Sequence, residues 1–241
     1  MMAMGTATAE AGERGTAHAD AAQLLRIWLS PSFPVGAFAY SHGLEAAVAR
    51  GLVTNANDLG DWIAALIEQG SLRNDLILLA EAWRAASARD AGKLRELNAF
   101  TVAFQPSAER YLEATQQGGS FAATISAAWP CDAIESLRKH EKPIAYPVAV
   151  GAAAAGHAIT LADAIPAYAL AFAMNLVSAA IRLSVIGQTD GQRVIARLMP
   201  ASAAQAAKAE AATLDDLGGA AFSSDLASLE HETLYSRLFR S

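Results

Sequence analysis

Alanine, singly and in runs from one end of the chain to the other, restricts the fold more than any motif in it. It is the best helix former and its small side chain lets helix axes approach closely, whereas the β-branched residues that favour strands are fewer. Hydrophobic residues fill 53% of the 241 positions and charged ones 17%, enough for a core that needs no covalent staples. These features predict an all-α fold, a single-domain bundle of about ten helices. Residues 1–19 are expected to be a flexible lead-in, 20–200 the bundle, and 201–241 a linker with an amphipathic docking tail.

Charge and cysteine usage then exclude whole classes of function. The net charge is −6, and no basic stripe is interleaved with aromatics, so nucleic acid is not expected as a partner. Cys131 is the single cysteine, which rules out an internal disulfide, and no Cys/His set has zinc spacing; a cytoplasmic location is the expectation. The N-terminal "MMAMGTATAEAGERGTAHAD" lacks the apolar core of a signal peptide. Residues 164–181 form a stretch of eighteen without a formal charge, long enough to consider a membrane span. Alanines dominate it and Pro166, Asn175 and Ser178 weaken it, so a helix buried on all sides is expected instead, with no membrane partner.

Periodicity and caps place the helices. Asp20 with Gln23 reads as a capping box for a first helix that turns Leu24, Leu25, Trp28 and Leu29 inward and stops at Pro31. Leu44 to Arg50 reads as a second helix ended by Gly51, and Asn57 as the cap of a third carrying Trp62, Ile63, Leu66 and Ile67. Leu72, Leu76, Leu79 and Trp83 mark a fourth, and Leu94 to Phe104 a fifth. Gly118 and Gly119 are expected to interrupt the next. Pro130 precedes a short helix through Leu137, and Pro147 opens another. Thr160 and Asp163 cap a long helix that Gly187 should end in a left-handed turn. Thr189 with Gln192 signals one more, stopped by Pro200, after which residues 201–224 read as a marginal helix and tether.

Motifs of catalysis are missing. "GAAAAGHA" at 151–158 has the glycine spacing of a phosphate loop, but His157 and Ala158 stand where lysine and Ser/Thr are required, which leaves close helix packing as the natural reading. His18, His42, His140, His157 and His231 are scattered, each a candidate for polar surface or a local hydrogen bond rather than a ligand. No active site of the chain's own, no cofactor and no metal site are expected. The alternative is a helical small-molecule binder or enzyme with "YPVAVGAAAAGH" as a pocket wall.

Recognition remains. In "SPSFPVGAFAYSHGLEAAV", residues 30–48, Pro31, Pro34 and Gly36 fix a turn able to present Phe33, Phe38 and Tyr40 rigidly, with Ser41 and Glu45 beside the tyrosine hydroxyl. The competing reading is that Phe33 and Phe38 plug the core. In "LEHETLYSRLFRS", Leu234 pairs with Leu238 and Tyr235 with Phe239 at i,i+4 spacing, so a helical tail would carry an apolar stripe in need of a receiver. An intramolecular strap is the competing reading there.

Taken in order, "SPSFPVGAFAYSHGLEAAV", "YPVAVGAAAA", "SAAIRLSVIGQTDGQR" and "HETLYSRLFRS" resemble the urease accessory protein F (UreF) family. They anchor the chain from about residue 22 onward, with 71–140 matching in helical character; Ala145 stands where family members often have a ring. The resemblance implies an all-helical homodimer that joins accessory proteins D (H in some organisms) and G to deliver nickel to apo-urease. G would be the GTPase; the F-type protein would bridge the other two and modulate GTP hydrolysis without being an enzyme. Arg182 and Gln188, from the third motif, are then candidates to face the GTPase, since an arginine or glutamine offered in trans can steady phosphoryl-transfer charge, and Asp190 of the same motif is a further partner-binding candidate. The tail would dock on the D/H protein through His231, Glu232, Tyr235, Arg237 and Phe239. Pro34, Gly36, Tyr40, Ser41 and Glu45 complete the expected partner-binding set.

Overall fold

The computed structural model describes residues 20–140 and 143–241, so the expected lead-in and His18 lie outside the described residues. All regular structure among the described residues is helical, as the composition predicts. Helix α1 covers 20–28. It is followed by α2 (Leu44–Ala49), α3 (Ala56–Gln69), α4 (Ser71–Ser87), α5 (Ala91–Ala103), α6 (Ala108–Ala128) and α7 (Asp132–His140). Then come α8 (Tyr146–Gly156), α9 (Leu161–Arg182), α10 (Gln188–Ala211) and α11 (Phe222–His231).

The helix at the centre is α4. Leu76, Ile77, Leu78, Leu79 and Ala80 are all buried in succession, which is possible only for a helix covered on every side. It lies against α8, where Gly151 is required: a Cβ there would come within 2.3 Å of the Leu79 carbonyl oxygen. The small residues of "GAAAAGHA" are thus a close-packing surface. Helix α9 was the expected fully buried element, and the structure corrects that. It is long and apolar enough by length and composition to cross a membrane, but half of its apolar stretch is buried in the molecule, while Leu170 and Met174 face outward.

Several boundaries move for physical reasons. Asp20 is already helical, so it does not sit in front of α1 as a cap. Asn55, not Asn57, caps α3, accepting from the Asn57 and Asp58 amides at 2.8 and 3.1 Å. Helix α6 runs straight through Gly118 and Gly119: segment 144–146 crosses it so closely that a Cβ on Gly118 would lie 2.1 Å from the Ile144 oxygen. Thr160 does cap α9, accepting from the Asp163 amide at 3.2 Å. Its left-handed exit is at Ser184 (φ 60°), whereas Gly187 is extended and opens α10. Pro200 lies within α10, where the lost hydrogen bond and ring clash cost about 3 kcal/mol; Val194, Leu198, Ala206 and Ala209, buried on both sides of it, hold the helix together. The region after α10 is anchored: Gln69 accepts from the Ala220 amide at 2.8 Å and Asn74 from the Gly218 amide at 3.1 Å.

The tail departs most from expectation. Helix α11 ends at His231, and residues 232–241 are not helical but run back over α2 and the 30–43 loop. Tyr235 and Leu238 point outward while Phe239 is buried, so the stripe expected on one helical face is split between two. The strap, the competing reading of the tail, is the arrangement found.

Candidate functional site: a strapped loop above a charged cavity

The 30–43 loop takes its shape from two left-handed glycines and one left-handed histidine. Gly36 (φ 72°) leads into a 3-10 turn at Ala37–Ala39, and His42 (φ 57°) with Gly43 (φ 77°) turns the chain into α2. A bulky residue in that region is strained, so His42 must be held by its neighbours. They do so tightly. Arg110 donates to its Nδ1 at 2.6 Å, which puts the ring proton on Nε2, where Ser71 Oγ accepts it, and Phe172 meets the ring edge-on at 4.8 Å. Of the loop aromatics, Phe33 plugs the core against Phe121 at 5.4 Å, while Phe38 is 66% exposed.

The strap is fastened to this loop by backbone and carboxylate. Ser41 donates from its amide to the Ser241 oxygen at 2.7 Å and from its hydroxyl to the same oxygen, and the Arg240 amide donates to Ala39 at 2.7 Å. Glu45 accepts from the amides of Leu238 and Phe239 at 2.7 and 3.0 Å; these are the donors a tail helix would have used internally. His231, with 0% exposure, bridges Glu45 at 3.0 Å and Glu109 at 3.1 Å, and Arg237 reaches Glu109 at 3.0 Å. Arg182 completes the join, lying 4.3 Å from the centre of the Phe239 ring and donating to the Phe38 carbonyl. Arg240 sits beside the buried Tyr40, whose phenol burial pushes up against the pull of that arginine.

Beneath the loop is a cavity of about 360 Å³, walled by α1, the loop, α9 and the start of α10, and floored by α4, α6 and α8. Its floor is charged. Arg110 pairs with Glu113 at 2.6 Å and stands 3.6 Å from Asp75, which also accepts from the Tyr168 hydroxyl at 3.4 Å. Burial pushes the Asp75 carboxyl up to about 6, Arg110 opposing. Burial would raise Glu113 as well, but Arg110 and His42 outweigh it and hold that carboxyl near 2. Burial, with Arg110 adding, lowers the His42 pKa.

The expected partner-contact residues therefore divide. Tyr40, Ser41, Glu45, His231 and Phe239 are buried and occupied by the strap and loop contacts. Pro34, Gln188, Glu232 and Tyr235 are exposed, although Glu232 accepts from the Ala108 amide at 3.0 Å. Gly36 is half-buried and Arg237 exposed, with its guanidinium on Glu109. Arg182 and Gln188 do share one edge, the cavity mouth, while Asp190 is paired with Arg193 at 2.7 Å. Asp75, Glu109, Arg110, Glu113 and Tyr168 escaped the sequence reading as site residues. Their one local signal was three charges at positions 109, 110 and 113 in a helix, spaced as near neighbours on its surface, and all three are buried. His42 is not polar surface but a buried hydrogen-bond partner, and His157 likewise makes a local bond, to the Trp129 carbonyl at 2.9 Å.

Known proteins agree on where such a chain belongs. The family model described as UreF matches residues 53–199. A protein of Methylobacterium radiotolerans named urease accessory protein UreF is 50% identical over 226 residues, covering 92% of this chain and 99% of its own. One of the same name from Azorhizobium caulinodans is 50% identical over 218 residues, 90% of this chain and 94% of its own. Another from Bradyrhizobium diazoefficiens is 46% identical over 232 residues, 96% of each.

Proposed function

Because the chain belongs to the UreF family of urease accessory proteins, we propose that it is a non-enzymatic scaffold of urease maturation. It bridges the D/H accessory protein and the GTPase accessory protein G, works as a homodimer in the cytoplasm away from membranes, and modulates GTP hydrolysis during delivery of nickel to apo-urease. One observation carries this reading: a strap and loop whose backbones are pinned to each other turn Phe38, Tyr235 and Leu238 outward. Large apolar and aromatic side chains on rigid backbone are the anchors that protein interfaces use, since little entropy is lost when they are covered. The D/H protein takes the strap side. Gln188, exposed at the first turn of α10 beside Arg182, faces the GTPase.

The test mixes purified chain with tagged D/H and G proteins, with and without GTP. All three co-purify, and GTP hydrolysis in the mixture differs from that of G alone. Gln188→Ala leaves the assembly intact and changes its hydrolysis rate. Failure of D/H and G to associate through this chain removes the bridging role, and an unchanged rate with Gln188→Ala removes the GTPase-facing one.

A further inference from the structure

The cavity floor is a buried anionic site with an incomplete set of partners. One terminal nitrogen of Arg110 is committed to Glu113 and His42 at 2.6 Å each, while its Nε and the Trp28 indole nitrogen have no partner among the described residues, and Asp75 keeps only two long contacts, 3.6 Å to Arg110 and 3.4 Å to Tyr168, both through Oδ2. Asp75 is 6% exposed, its Oδ1 has no hydrogen-bond partner among the described residues, and the residue lines the cavity. The Tyr146 hydroxyl, on the same floor, is also unbonded among the described residues. With His42 neutral, two carboxylates face one guanidinium at the floor, and the other guanidinium lining the cavity, that of Arg182, is at the mouth. A buried carboxylate in that state is costly, and a cation brought to it recovers the cost.

The surroundings say what kind of cation. Among the described residues no three His, Cys, Asp or Glu side chains are placed to hold a metal ion. The walls above Asp75 are instead Trp28, Phe33, Phe172 and Met174, and aromatic faces attract an ammonium while apolar walls cover a hydrocarbon. The volume of about 360 Å³ lies within the range of small-ligand sites, roughly 300–1,000 Å³. Arg182 at the mouth is turned onto Phe239 and the Phe38 carbonyl.

We propose that this cavity binds an organic ammonium whose nitrogen sits between Asp75 and the hydroxyls of Tyr146 and Tyr168 and whose apolar body lies against Trp28, Phe33 and Phe172. The cavity mouth shares Phe38, Arg182 and Gln188 with the proposed partner-facing side, but the site at the floor stands whether or not the scaffold role does. Phenethylamine is the probe and 2-phenylethanol its uncharged counterpart, each titrated calorimetrically into the full chain at neutral pH. The amine binds one site per chain, about tenfold or more tighter than the alcohol, because only it forms the charge-assisted bond. Asp75→Asn removes that preference. Ala171→Phe, which fills the cavity without touching the floor, removes binding of both. Equal affinities for amine and alcohol, no amine binding at all, or full amine affinity in Ala171→Phe would each overturn the proposal. So would a folded Asp75→Asn protein that keeps its preference.

Discussion

At the residue scale the buried charges set how the protein responds to pH. Glu113 has a folded-state pKa of about 2 against 4.5 unfolded, so its pairing stabilises fully above 4.5 and is lost as pH falls toward 2. Asp75 runs the other way. Its pKa of about 6 exceeds the unfolded 3.8, so stability falls as pH rises from about 4 through 6 and a charge is forced into the floor. Glu113→Gln should therefore cost roughly 3 kcal/mol at neutral pH, since it breaks a buried pair, and should flatten the acid limb of stability. Asp75→Asn should instead abolish the decline between pH 4 and 6. Urea unfolding measured across pH reads both, and a Glu113→Gln protein with the original acid limb would contradict the assignment. Glu45→Ala strips the Leu238 and Phe239 amides of their acceptor, and hydrogen exchange at those two amides should accelerate while that of α4 stays slow.

At the element scale, what decides the local conformation is often a contact distant in sequence. Gly118 and Gly119 make the point because they are chemically identical and adjacent in one helix. A methyl at 118 collides with the Ile144 oxygen, while at 119 it meets nothing within 4 Å. Gly119→Ala should stabilise by about 0.5–1 kcal/mol through helix propensity, and Gly118→Ala should destabilise despite the same gain. Denaturant midpoints for the pair test this, and similar shifts would refute the crossing. Features fixed by local rules were legible in the sequence: the Thr160 cap, Pro147 at the start of α8, the presence of α4 and α5 and the all-α class. Features fixed by tertiary packing were not. Pro200 reads as a stop because the cost of a helical proline is local and the packing that offsets it is not. The tail reads as a helix because its i,i+4 pairs are local and the Glu45 carboxylate that takes its amides is nearly two hundred residues away. The cavity floor was hidden for the same reason, since Asp75, Arg110 and Tyr168 meet only once α4, α6 and α9 are assembled.

At the scale of the whole molecule, the strap closes over the loop and in doing so decides which of their side chains stay exposed. Five of the residues expected to touch partners instead hold strap and loop in place. They fix the backbone from which Phe38, Tyr235 and Leu238 project. The most direct test is co-purification of the D/H accessory protein with a chain carrying Tyr235→Ala and Leu238→Asp. Both side chains are exposed, so the thermal midpoint should stay close to that of the unaltered chain, as is usual for surface substitutions. Capture of the D/H protein should be lost. Undiminished capture by this folded variant would contradict the claim that the strapped face is where the molecule meets its partner.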